Sequence, residues 1–166
     1  MARRASGAER SPAVASLSLI SVRASLVEAR QMRRTRTMIA YTMVGTRDLP
    51  QALRFYDPLC AEMGLQVCWK DDASVGYGRV EDLAFPRFYV GYPYDGNQAS
   101  VGNGVMTAFQ FAAPEQVDRL HRLALSSGGR DEGAPGYRPR YGEGFYAAYV
   151  RDPDGNKLAF VVYPRG

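Results

Sequence analysis

Imidazole is nearly absent from this chain: His121 is the only histidine among 166 residues. A Ser-His-Asp triad or a multi-histidine metal site needs imidazole at a pocket. His121 instead sits in the middle of a helical pattern, four residues after Val117 and three before Ala124, where it borders an apolar face. Cysteine is equally scarce. Cys60 and Cys68 make no disulfide framework and have no zinc-ligand spacing with other Cys or His, so they read as small apolar residues in a reducing compartment. Long apolar runs are missing too. The best candidate, AVASLSLISV, is broken by serines and ended by Arg23, well short of the roughly 18 residues that a membrane span requires.

Basic charge is missing where a nucleic-acid-binding domain would need it. The formal charge is +4, but residues 1–37 hold eight arginines against Glu9 and Glu28, which is +6; by difference the remaining 129 residues carry −2. Backbone recognition requires Lys and Arg clustered on a folded face, so neither nucleic acid nor membrane is an expected partner of the folded part. The basic arm itself remains a candidate for RNA or lipid contact. Its Arg-rich, Ser-rich, acid-poor composition fits either a disordered extension or an organelle-targeting peptide.

What is present from Met38 onward is a globular pattern. MIAYTMVGT reads as a strand; TRDLPQALRFY then offers Asp48 as a helix cap, Pro50 in the first turn, and Leu49, Ala52, Leu53 and Tyr56 at helical spacing. Pro58 should kink or end that helix near Asp57, unless Leu59, Ala61 and Met63 carry it on to Gly64. LQVCWK, SVGYGRV and PRFYVGY read as three short strands. The polar, Gly-rich YDGNQASVGNG is a linker, after which the order restarts: VMTAFQFA as a strand, a helix opened by Pro114 and stopped at Gly128-Gly129, and a Gly/Pro-rich loop GGRDEGAPGYRPRYGEG. FYAAYVRD and NKLAFVVY, joined by Asp152-Pro153-Asp154-Gly155, end the chain as two paired strands, because Pro153 presets the second turn position and Gly155 is free to take φ > 0. This is an internal repeat of about 60 residues, read from element order. Module one spans 38–93, the linker 94–103 and module two 104–163 of a domain covering 38–166.

Candidates for chemistry are few. GNG at 102–104 opens a strand, not a helix, so it is no phosphate cradle; GYG at 76–78 lies inside a strand and marks a bulge or a close backbone approach. Glu143, between two glycines, is either a solvated loop acid or a base reaching over a pocket. Arg79, two residues beyond Tyr77, is either an anion partner in a cavity or part of a solvated edge. Tyr41, Trp69, Tyr77, Tyr89, Tyr141, Phe145 and Tyr149 all fall on strands or their approaches, and some of them should face a planar or amphipathic ligand.

MVGTRDLPQALRFYD, VGYGRVEDLAFPRFYVGYPYDGNQASVGNG, GGRDEGAPGYRPRYGEGFYAAY and above all VRDPDGNKL resemble the vicinal-oxygen-chelate superfamily, which includes glyoxalase I, bleomycin-resistance proteins and extradiol dioxygenases. The resemblance covers residues 38–163. It implies an α+β fold of two βαβββ modules whose strands curl into an open, curved mixed β-barrel with flanking helices, and commonly a homodimer. It also implies where metal ligands would stand, and those positions hold Tyr41, Met106 and Ala159 in place of the usual His and Glu. The expectation is therefore a cytoplasmic protein with no metal or other cofactor that binds a small organic ligand through Tyr41, Trp69, Tyr77, Arg79, Met106, Phe145 and Ala159. The alternative is a glyoxalase-type lyase or isomerase using Glu143 as base, Arg79 as anion clamp and a tyrosine hydroxyl as acid.

Overall fold

The computed structural model describes residues 39–164, so the expectations for residues 1–37 lie outside the described residues. Each half builds one four-stranded sheet and one helix. In the first half, β1 (Tyr41–Gly45) leads to α1 (Leu49–Glu62), then β2 (Gln66–Lys70), β3 (Ser74–Gly78) and β4 (Arg87–Gly91). In the second, β5 (Met106–Gln110) leads to α2 (Pro114–Ser126), then β6 (Arg130–Tyr137), a 3-10 turn at Pro139–Tyr141, β7 (Tyr146–Arg151) and β8 (Lys157–Val162). The sheet orders are β1-β4-β3-β2 and β5-β8-β7-β6, with the first pair of each parallel and the others antiparallel. The fold is thus α+β, two βαβββ modules whose sheets stay unclosed as an open mixed barrel.

Helix α1 begins where Asp48 accepts a hydrogen bond from the Gln51 N–H at 2.9 Å. It does not end at Pro58. The helix continues to Glu62 and stops before Gly64, whose φ is 72°. A proline inside a helix costs about 3 kcal/mol, but Leu59 and Cys60 beyond it are both buried on the face that carries Ala52, Phe55 and Tyr56. Burying each large apolar side chain contributes roughly 1.5–3 kcal/mol, so packing outweighs the local defect. Helix α2 has Ala113 at its cap, which offers no acceptor; the Gln116 side chain takes the Ala112 and Ala113 N–H groups instead.

About half of the Gly/Pro-rich segment expected to be a loop is strand β6. It forms the edge of its sheet and pairs with β7 through two register shifts, at Asp131/Gly133 and Gly133/Gly136. An edge position tolerates Pro135, whose missing N–H is needed by no further strand. One buried interior serves both modules. Tyr56, Phe88, Phe109 and Phe160 form an aromatic chain through it, with ring centroids 5.2, 5.3 and 6.4 Å apart in turn.

The Asp152–Gly155 turn forms as its residues specify, with Gly155 at φ 99°. It also clamps module two onto module one. Asp152, buried, accepts hydrogen bonds from the Tyr56 hydroxyl at 2.7 Å and from the backbone and side-chain N–H groups of Asn156 at 2.7 and 2.8 Å. The Asn156 amide donates further to the Gly45 carbonyl at 2.9 Å. Asp154 accepts from the Thr46 hydroxyl and from the Arg47 backbone N–H and guanidinium, the last two at 3.0 and 2.9 Å.

Candidate functional site

Strand alternation divides each sheet into two faces, and the helices decide which is covered. Val44, Val75, Tyr77, Phe88 and Val90 in module one, with Ala148, Val150, Leu158, Phe160 and Val162 in module two, belong to the interior packed with the helices. The opposite, open face takes the intervening residues. In module one these include Tyr41 and Met43 on β1, paired in register with Arg87 and Tyr89 on β4. In module two they include Met106 on β5, Lys157 and Ala159 on β8, and Tyr149 and Arg151 on β7.

The open face of module one is an aromatic plate on a glycine floor. Tyr41 and Tyr89 meet edge to face at 5.7 Å. Tyr89 lies directly over Gly76, where an added Cβ would stand 2.5 Å from its ring. The glycine expected to mark a close approach does so, and the partner is an aromatic ring. Trp69 pairs with Gly76 and shares this face, at 53% exposure; the bulge between Val67 and Trp69 places Cys68 beside Gly78, half-exposed. Replacing Gly76 by valine should push Tyr89 off the plate. An overpacked site of this kind costs typically 1–3 kcal/mol, so a lowered melting temperature together with shifted Tyr89 and Tyr41 ring resonances is the expected result. Unchanged Tyr89 resonances would contradict the geometry.

The open face of module two is small at its centre and charged at one end. Ala159 is fully buried in a cluster with Phe145, Ala147 and Val161, against which Tyr149 packs. Met106 is partly exposed on the neighbouring strand. At the end nearest the Asp152–Gly155 turn, Arg151 binds Glu132 at 2.9 Å, and the Lys157 amine stands 3.9 Å from the same carboxylate oxygen. The Arg151 hydrogen bond, reinforced by the nearby positive charges, holds the Glu132 carboxyl below its usual value. The Lys157 amine also lies over the Tyr149 ring, 5.3 Å from its centre. Between this end and the segment Val101–Met106 is a cavity of about 470 Å³. A second hollow, about 510 Å³, lies beside α1 and is lined by Leu49, Leu53, Arg54, Asp57, Lys70 and Tyr92.

Among the residues expected to form the site, Phe145 and Ala159 meet in the buried cluster of module two, Met106 lies partly exposed at the other end of that face, and Tyr41 and Trp69 share the open face of module one on its two edge strands. Tyr77 does not join them. It is buried on the helix side, its hydroxyl donating to Asp57 at 2.7 Å, and burial pushes its pKa well up. The reason is parity: Tyr77 shares the face of Val75, and that face is the one α1 covers. Arg79 lies just beyond β3, exposed, with its guanidinium 4.3 Å from the Phe85 ring centre. Glu143 is exposed in the loop before β7. His121 lies at the core edge, where Nε2 is 2.8 Å from Asp131 and joins α2 to β6. Lys157 and Arg151 were not expected at the site; the signal was available, since alternation puts them on the face of Ala159 and Tyr149.

The superfamily resemblance implies a metal, and the residues present do not fit one. Among the described residues no three His, Cys, Asp or Glu side chains are grouped so as to hold an ion. Tyr41, Met106 and Ala159 cannot supply the imidazole and carboxylate donors that bind Zn, Ni or Fe. No helix among the described residues is long and apolar enough to cross a membrane.

No family model and no curated protein matches the chain. Solved structures do. A glyoxalase-related enzyme from Fulvimarina pelagi shares the fold at 20% identity and a TM-score of 0.60, covering 78% of this chain and 93% of its own. A lactoylglutathione lyase from Agrobacterium tumefaciens does so at 19% identity and a TM-score of 0.55, covering 78% of this chain and 96% of its own. A glyoxalase/bleomycin resistance protein from Albidiferax ferrireducens T118 is 32% identical, with a TM-score of 0.68, over 77% of this chain and 100% of that one. With the repeated βαβββ modules and the open face between them and solvent, that likeness makes this chain a member of the glyoxalase/bleomycin resistance protein family.

Proposed function

We propose that this protein binds a small organic ligand on the open faces of its sheets without a metal, acting in binding, sequestration or resistance. The observation that carries the reading is the composition of those faces. Tyr41, Tyr89, Trp69, Met106 and Tyr149 offer aromatic and thioether surface, whereas the positions that would hold metal ligands carry no donor set. Such a lining suits a planar or amphipathic molecule. The family membership supports the same reading at the level of fold. The protein acts as a homodimer in this proposal: Tyr41, Met43 and Met106 remain 65, 49 and 45% exposed, and a second copy would cover them. Its two free cysteines suit a reducing, cytoplasmic setting. A lyase or isomerase role finds less support, because Arg79 stacks on Phe85 outside the sheet and Glu143 is a solvated loop acid.

The test uses the purified full chain. Elemental analysis should find no stoichiometric divalent metal, chelation should leave the melting temperature unchanged, and a panel of aromatic and amphipathic compounds should include members that raise it. Saturating ligand at about 100 times its Kd would stabilise by roughly 2.7 kcal/mol, a shift readily measured. Stoichiometric metal essential to an activity would overturn the proposal.

A further inference from the structure

We infer that the cavity between the Val101–Met106 segment and the charged end of module two takes the carboxylate of a small monoanionic ligand, with Lys157 as its anchor. The inference rests on the ligand-binding reading above and adds the chemical class to it. Register places Met106, Lys157 and Arg151 in one row across β5, β8 and β7. The Val101–Met106 segment faces this row and leaves the space of about 470 Å³, within the range of small-molecule sites.

The two cations differ in what they have left to give. Arg151 is committed, with one guanidinium nitrogen on the Gly155 carbonyl at 2.8 Å and another on Glu132 at 2.9 Å. Among the described residues Lys157 makes no such bond. At 3.9 Å its amine is too far from Glu132 for a hydrogen bond, and its other near neighbour is the Tyr149 ring, an electrostatic support that occupies no N–H. That ring is itself fixed against Gly133, where an added Cβ would come within 2.9 Å of it. The result is a partly buried ammonium, held in place and with donors free, at the edge of a cavity.

Charge selects the ligand. Of the cations in the row, Arg151 is paired with Glu132, and Arg130, the register partner of Arg151, stands exposed at the sheet edge outside the cavity lining, so among the described residues Lys157 supplies the one uncommitted positive charge at the cavity. A carboxylate neutralises that charge. A phosphate dianion would exceed it and face the Glu132 carboxylate. The apolar lining at Val101, Val105 and Met106 then takes the hydrocarbon part of the ligand.

Benzoate, benzamide, benzylamine and phenyl phosphate, titrated into the full-length protein and followed by amide NMR shifts, test this. Benzoate should move Met106, Lys157 and the 102–104 amides and bind about tenfold more tightly than benzamide, the effect of one charge-assisted contact. Lys157→Gln should remove that advantage and leave benzamide within about twofold; Glu132→Gln should tighten benzoate and bring phenyl phosphate toward it. Equal binding of benzoate and benzamide to the wild type, which needs no variant, overturns the inference, as does a benzoate affinity unchanged in a folded Lys157→Gln protein. In those cases benzamide or benzylamine shifts on the open faces still uphold the ligand-binding reading. If none of the four probes moves an open-face resonance, the reading falls together with the inference.

Discussion

Replacing Asp152 by alanine is expected to lower the melting temperature by on the order of 10 °C, from a loss of about 3 kcal/mol. The carboxylate is the acceptor for three donors, and the Tyr56 hydroxyl among them is buried. An orphaned buried donor costs roughly 1–3 kcal/mol, and the loss also frees Asn156, whose side chain ties the turn to the Gly45 carbonyl. Tyr56→Phe removes the donor along with the need for an acceptor and should cost about 1 kcal/mol. The double variant should therefore be less destabilised than the sum, with a coupling of about 1–2 kcal/mol. Additive effects, or an Asp152→Ala protein melting within about 3 °C of wild type, would show that the turn is no clamp.

This prediction has a pH signature. Burial outweighs the hydrogen bonds from Asn156 and Tyr56 and lifts the Asp152 carboxyl above its ordinary value of 3.8. The native state then binds more proton at this group than the unfolded chain does, so the cost of its charged form appears as pH rises through the window above 3.8 and is complete beyond the raised value. The stability gap between wild type and Asp152→Ala should be widest at low pH and narrow through that window. Asp154 works in the opposite sense. Its partial burial is overcome by the bonds from Arg47 and Thr46, its carboxyl is held low, and the stability it contributes is lost as pH falls below its unfolded value.

Ala159→Glu, which installs the carboxylate that the superfamily places on the last strand, is expected to destabilise the protein by about 3 kcal/mol or more and to recruit no metal. Ala159 has no exposed surface; its register partners are Ala108 and Tyr149, and Phe145, Ala147 and Val161 close around it. A glutamate must overpack that cluster and leave its charge with no bound cation, because Met106 and Tyr41 supply neither the imidazole nor the carboxylate donors that hold zinc. Ala159→Gln separates the two costs, since it keeps the volume and removes the charge. Thermal melts and zinc titration of both variants decide it. Wild-type stability in Ala159→Glu would mean that the position still has room for the lost carboxylate.

The element order was legible because helix and strand periods are local. Asp48 caps α1 as its residue type requires, and Val117, Leu120 and Ala124 form the buried side of α2. Strand β6 was not legible: RDEGAPGY has no alternating apolar pattern, and it is a strand only because the free edge of β7 offers a ladder whose register shifts absorb its glycines. The extension of α1 past Pro58 was likewise decided by a partner surface, the interior that Leu59 and Cys60 enter.

The candidate site divides along the same line. From residues alone come the turn at Asp152–Gly155, the repeated modules and the aromatic content, since each depends on residue type or near neighbours in the chain; that Tyr41, Met106 and Ala159 stand where metal ligands would be is implied by the superfamily resemblance. Only the tertiary structure decides that Tyr77 faces α1 while Tyr89 faces the open side, that Arg151 and Lys157 border a cavity, and that Asp152 and Asp154 hold the modules together. The reason is physical. Alternation along a strand sorts side chains into two sets without saying which set is covered, and that symmetry is broken only when a helix or a distant loop packs against one of them.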